Sequence, residues 1–199
     1  MVKSLFLDTG CVKRLLCLLI VAFGFLNCKA QHITPIEEVV NYFDEENGVM
    51  GDKDYVYLKD VNNVLEKFVG DWAGNYNGKN YLFRISKATS DNGEIKEDYL
   101  LMRYTITTSN GTVIENTLNL ADNKVYTAGG YLAKSGSYVF YYQGKDSDCG
   151  QNGSIFAGVL ESSNGTKIKL YLEVKGEMWD CTTEVPQTMP TDWIEVTKQ

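Results

Sequence analysis

A change of period constrains this chain more than any other feature. In residues 167–174, Ile168, Leu170, Leu172 and Val174 fall on one face, and Lys167, Lys169, Tyr171 and Glu173 on the other. An extended strand separates side chains in this way, because successive Cβ atoms point to opposite sides of a sheet. Tyr81, Phe83 and Ile85 make a second apolar face, and Leu100, Met102, Tyr104 and Ile106 a third. One apolar and one polar face per strand marks antiparallel strands half buried against a core. Asn-Gly pairs punctuate the region at Asn77, Asn92, Asn110, Asn152 and Asn164. Both residue types tolerate the positive φ that tight hairpins need. The pattern predicts strands near 71–76, 79–87, 98–108, 112–120, 123–128, 137–143, 154–162, 166–175 and 191–197. Strands joined in this order form an up-and-down meander, and closing it into a barrel of about 8–9 strands removes its edges.

Two helix signals precede the strands. Thr34-Pro35-Ile36-Glu37 combines an N-cap, a proline at the first helical position and a capping-box glutamate. It predicts an amphipathic helix to about Glu46, ended by Asn47-Gly48. Asp60 caps a second short helix with Val61, Val64, Leu65 and Phe68 on one face, stopped by Gly70. The expected fold is therefore mainly β: an antiparallel up-and-down barrel over 58–199, with a helical segment at 31–57.

Residues 15–26, LLCLLIVAFGFL, are apolar throughout. A membrane-spanning helix needs about 18 or more such residues. Lys13 and Arg14 precede the run and Asn27-Cys28-Lys29-Ala30-Gln31 follows it, the layout of an export signal over residues 1–30. Two endings stand open. Phe25-Leu26-Asn27-Cys28 resembles a bacterial lipobox, in which Cys28 becomes the lipidated first residue. Cys28-Lys29-Ala30 fits a signal-peptidase site cut after Ala30. Either ending predicts an exported protein, periplasmic, secreted or anchored to the outer membrane.

Beyond residue 30 the chain carries 15 bases and 25 acids, a net charge of −10. Phosphate backbones and anionic lipid surfaces repel such a chain. The expectation is a monomer with no nucleic-acid partner, touching membrane only through an anchor at Cys28. Cys149 and Cys181 are the cysteines left in the body, and in an exported chain they predict a disulfide. Closing that loop is worth about 3–4 kcal/mol in the chain-entropy model.

Catalytic signals are weak. His32, the single histidine, sits at the start of the expected mature chain, far from either body cysteine. Asp146-Ser147-Asp148-Cys149-Gly150 fails as a calcium loop, because position twelve is Ala157. No phosphate loop, dinucleotide fingerprint or nucleophile elbow is present, and no cofactor, metal or enzymatic activity is expected. The aromatics carry more information: 13 Tyr, 8 Phe and 3 Trp. Tyr138, Phe140 and Tyr142 share one strand face; with Tyr104 and Tyr126 they are the candidates to line a cavity for a small apolar or amphipathic ligand. The alternative is a filled barrel that binds a protein or polysaccharide through its surface, with 35–46 and 176–190 as contact regions.

The helix leading into Gly70-Asp71-Trp72 resembles the opening of the lipocalin/calycin superfamily. That resemblance implies that Trp72 plugs the closed end of the barrel and that Gly70 allows the chain to turn beneath it. A longer stretch, Tyr57 through Trp72 followed by Tyr76-Asn77-Gly78-Lys79, resembles a family of uncharacterised secreted proteins from Gram-negative bacteria. Cys28-Lys29-Ala30-Gln31, Asp98-Tyr99-Leu100-Leu101 and the stretch from Ile114 to Leu118 continue it. This second resemblance implies export and a shared fold, and brings no activity with it.

Overall fold

The computed structural model describes residues 32–199. The expected export signal, and Cys28 with it, lies outside the described residues. Eleven strands build one sheet: β1 (His32–Pro35), β2 (Val56–Lys59), β3 (Gly70–Tyr76), β4 (Lys79–Asp91), β5 (Ile95–Thr108), β6 (Val113–Asn116), β7 (Tyr131–Leu132), β8 (Tyr138–Gln143), β9 (Asn152–Val159), β10 (Lys167–Val174) and β11 (Ile194–Lys198). Their spatial order is β1-β2-β5-β4-β3-β11-β10-β9-β8-β7, with β6 added to β5. The strand-rich reading and most strand positions hold. Asn77 and Gly78, both at positive φ, make the two-residue turn between β3 and β4.

The sheet departs from a closed antiparallel meander in three ways. It is mixed, because β1 pairs with β2, and β2 with β5, in parallel. The last strand, β11, lies between β3 and β10, so the sheet is not in sequence order. The ladder is also open, with β1 and β7 as its terminal strands. Across the opening, Leu101 on β5 forms an isolated bridge with Ala128, and Thr127 forms one with Tyr142 on β8. Residues 123–128, expected as a strand, supply only these bridges. A 3₁₀ turn at Asp122–Lys124 consumes their first half, and Gly129 and Gly130 at positive φ end the second. Gly130 is required here, since a Cβ would stand 1.9 Å from the Val139 carbonyl oxygen.

Among the described residues no pair of α-helices precedes the sheet. Thr34, expected as an N-cap, pairs with Leu58 inside β1, and Pro35 ends that strand. The chain then winds into a 3₁₀ helix, Ile36–Tyr42, rich in β-branched residues that favour helix weakly. This helix buries Ile36 and packs against β7. The expected helical segment 31–57 thus gives its ends to the sheet as β1 and the start of β2. The second helix shrinks to one turn, Glu66–Phe68. Asp60 is not its cap, since Leu65 holds that position with no side-chain bond; Asp60 instead accepts from the backbone N–H of Val64 at 2.7 Å and of Leu65 at 3.4 Å in the turn before it.

One apolar core runs through the molecule, fed by inward residues of β2 to β5 and β8 to β11. Sheets of more than about ten strands curl to bury one face, and this one curls until Tyr104, Phe140, Ile155 and Leu170 belong to the same cluster. Among the described residues no helix is long and apolar enough to cross a membrane.

Candidate functional site

Four of the five aromatic cavity candidates lie fully buried in the interior. Tyr104, Tyr138, Phe140 and Tyr142 are at most 2% exposed, and Tyr126 packs partly buried against them. Their hydroxyls are engaged inside the protein. Tyr104 donates to Glu115 at 2.8 Å, Tyr138 accepts from the Leu100 N–H at 3.1 Å, and Tyr142 meets the Thr188 hydroxyl at 3.4 Å. Burial pushes the phenols of Tyr104, Tyr138 and Tyr142 above the ordinary range and that of Tyr81 to about 12. They act as packed, neutral core residues.

Both ends of this interior are covered. At one, Trp72 is fully buried and donates its indole N–H to the Phe68 carbonyl at 2.8 Å. Lys198 Nζ stands 5.2 Å above the Trp72 ring, a cation–π contact. Gly70 makes room for it, since a Cβ there would lie 2.7 Å from Lys198 Cε. At the other end, Met189 is buried and Tyr81 donates to the Thr188 carbonyl at 3.0 Å. A cleft between Ile36, Val39, Glu97 and Tyr138 encloses about 10 Å³, room for about one water. Among the described residues no cluster of three or more His, Cys, Asp or Glu gathers as a metal site.

The outer face is organised differently. Register pairs Tyr131 with Val139, Val139 with Phe156, and Phe156 with Tyr171. Leu170 pairs with Ile194, so the same register carries Tyr171 to Trp193, one residue before β11. Each of these residues is next to a core residue in the chain and so lies on the outer side of the sheet; Val139 is covered there, at 1% exposed, while Tyr131, Phe156 and Tyr171 are partly exposed. The result is an apolar row across five strands. Three of its rings touch: Phe156 and Tyr171 stack at 5.3 Å between centroids, and Tyr171 and Trp193 lie 4.2 Å apart. Trp193 is 51% exposed, with Lys169 Nζ 4.8 Å from its ring centre. At the far end Tyr131 meets Phe43 at 4.7 Å and Tyr141 at 6.4 Å. Sequence reasoning missed this row. The alternation that placed Tyr171 on the polar face was the available signal, but only register shows that its ring continues into Phe156 and Trp193.

A second exposed feature is the loop after β10. Cys149 and Cys181 are joined in a disulfide, with Cα atoms 5.1 Å apart. Asn152, expected as a turn residue, instead opens β9 with a buried side chain. Its amide donates to the Ser147 and Glu177 carbonyls at 2.7 Å, and its oxygen accepts from the Glu177 N–H at 3.1 Å. Met178 and Trp179 project from this braced loop, 46% and 58% exposed.

No curated protein and no solved structure matches the chain. A family model does, across residues 12–199. The chain belongs to that family, DUF6705, a family of unknown function.

Proposed function

We propose that this protein is an exported, non-catalytic binding module that works through its outer face. The observation that carries the reading is the aromatic row from Tyr131 to Trp193, set against an interior whose aromatic residues are packed and whose hydroxyls are engaged. Phe156 and Tyr171 are partly exposed and Trp193 is 51% exposed; rings clustered in this way on an outer face mark a partner surface, and Trp and Tyr carry a disproportionate share of binding energy. An interior ligand would have to displace Tyr104, Phe140 or Tyr142, each of which closes the core. Export is supported by the basic, then apolar, N-terminus and by the Cys149–Cys181 bond. The likeness to a lipocalin-like closed end rests on Gly70 and Trp72.

The test immobilises the native chain and a Tyr171→Ala/Trp193→Ala variant and exposes both to the exported fraction of the source cells. Material held by the native chain and lost from the variant is expected. Equal retention on both, or a stoichiometric lipid released only on unfolding, would overturn the surface reading. The mass of the mature chain decides the rest: acylated Cys28 or a bare Gln31 supports export, and an intact Met1 opposes it.

A further inference from the structure

We infer that the outer row is a stacking platform for an uncharged, linear polysaccharide lying across the strands, a conclusion that rests on the surface reading above. Five register-matched positions, Tyr131, Val139, Phe156, Tyr171 and Trp193, follow one another from strand to strand; the rings of Phe156, Tyr171 and Trp193 form its open part, and Val139, 1% exposed, separates them from Tyr131. Neighbouring strands lie about 4.8 Å apart, so the row spans about 19 Å. From β9 to β11 it is one residue wide, because the residues two positions away are polar or small; on β8 Tyr141, 53% exposed, widens the far end. Ser137, Lys169 and Glu195 line one side, with Gly158 between Ser137 and Lys169. Ser154, Glu173 and Thr191 line the other.

This arrangement matches one ligand chemistry better than its rivals. A pyranose ring has an apolar C–H face and a rim of hydroxyls. The C–H faces lie on the rings of Phe156, Tyr171 and Trp193, and the hydroxyls reach donors and acceptors on both flanks. A linear polymer repeats that pattern along a line, as the row does. Charge selects against polyanions, because the chain beyond residue 30 carries a net −10 and Glu173 and Glu195 border the row. An extended peptide would pair with a sheet edge, and the row crosses the face of the sheet, where the backbone groups of β9 and β10 are already paired. A folded partner would want a broad apolar patch surrounded by a polar rim, and from β9 to β11 this strip is narrow.

Affinity electrophoresis of the native chain in gels containing single soluble polymers tests the inference. The uncharged polymers are hydroxyethylcellulose, galactomannan and linear mannan; alginate and polygalacturonate are the polyanions. At least one uncharged polymer is expected to retard the native chain, and neither polyanion to match it. Trp193→Ala and Tyr171→Ala should each weaken that retardation at least tenfold. Trp179→Ala, which removes an equally exposed tryptophan elsewhere, should leave it unchanged. Thermal melts of all variants separate lost binding from lost folding. Failure of every uncharged polymer to retard the native chain, stronger retardation by alginate, or native-like retardation of Trp193→Ala would overturn the inference. If the polymers fail but Tyr171→Ala/Trp193→Ala still loses a captured protein, the polysaccharide is wrong and the surface reading survives. If that capture is also unchanged, both fall.

Discussion

Glu97 and Asp98 are neighbours on β5 with opposite electrostatic fates. Burial pushes the Glu97 carboxyl above its ordinary 4.5, and the charge of Asp98 adds to the rise. Burial also acts on Asp98, but hydrogen bonds outweigh it: Thr89 and Tyr57 donate their hydroxyls at 2.8 and 3.0 Å and Asp60 its N–H at 3.1 Å, with Lys87 adding its charge. Asp98 therefore lies below its ordinary 3.8. A lowered carboxyl contributes stability that is present above the unfolded value and lost as pH falls through the folded one. A raised carboxyl does the reverse, and its contribution is lost as pH rises through the folded value. Glu97→Gln should therefore raise the melting temperature at pH 7, and the gain should fade as the pH falls through the raised folded value towards 4.5 and be absent below it. Asp98→Asn should cost about 1–3 kcal/mol at pH 7 by weakening bonds to a charged acceptor, a loss that fades below pH 3.8. Thermal melts from pH 3 to 8 check both, and a pH-independent difference for either variant would contradict its assignment. Nothing in the sequence distinguishes these two acids from the other 24. Their difference comes from partners 9 to 41 residues away.

Elements were legible where one residue type decided them. Asn77-Gly78 fixed a hairpin because both positions need positive φ. The face of β10 was equally plain, because one side is buried and the other is not. Period failed where tertiary pairing competes with local preference, as at Thr34, which bonds a parallel neighbour instead of capping a helix. Asn152 misled for a related reason: its side chain braces the 176–190 loop rather than turning the chain. That loop is held by the Cys149–Cys181 bond and by the side chains of Asn152, Gln151 and Gln187. Cys149→Ser/Cys181→Ser should lower stability by about 2–4 kcal/mol. Limited proteolysis should then cut between Glu177 and Val185 well before global unfolding. Cleavage no faster than in the native chain would mean that the hydrogen bonds of Asn152, Gln151 and Gln187 hold the loop without the disulfide. Retardation by an uncharged polymer should survive the substitution, because Trp193 and Tyr171 belong to the sheet.

At the scale of the whole molecule, the question is whether a sheet whose ladder is open behaves as a closed wall. The platform needs a stiff one, since rings that move apart lose the alignment a linear polymer requires. The opening is stitched by few bonds. Met102 N–H donates to the Thr127 carbonyl at 3.1 Å, and Gln143 N–H donates to that of Tyr126 at 2.8 Å. Thr127 is fully buried, and its hydroxyl turns back to the Met102 carbonyl. Buried bonds of this kind open only when the packing around them opens. The amides of Met102 and Gln143 should thus exchange with solvent as slowly as those of the β4–β5 ladder, through global unfolding. Fast exchange at both, with β4 still protected, would show a wall that breathes at its seam. Gly130→Ala provides the perturbation. Its Cβ would collide with the Val139 carbonyl, forcing β7 away from β8 beside the seam. Exchange at Met102 and Gln143 should accelerate in that variant, and affinity at the row should fall with it, because Tyr131 and Val139 form the row's far end. If exchange accelerates while affinity holds, the platform is confined to Phe156, Tyr171 and Trp193, and the polymer spans three strands rather than five.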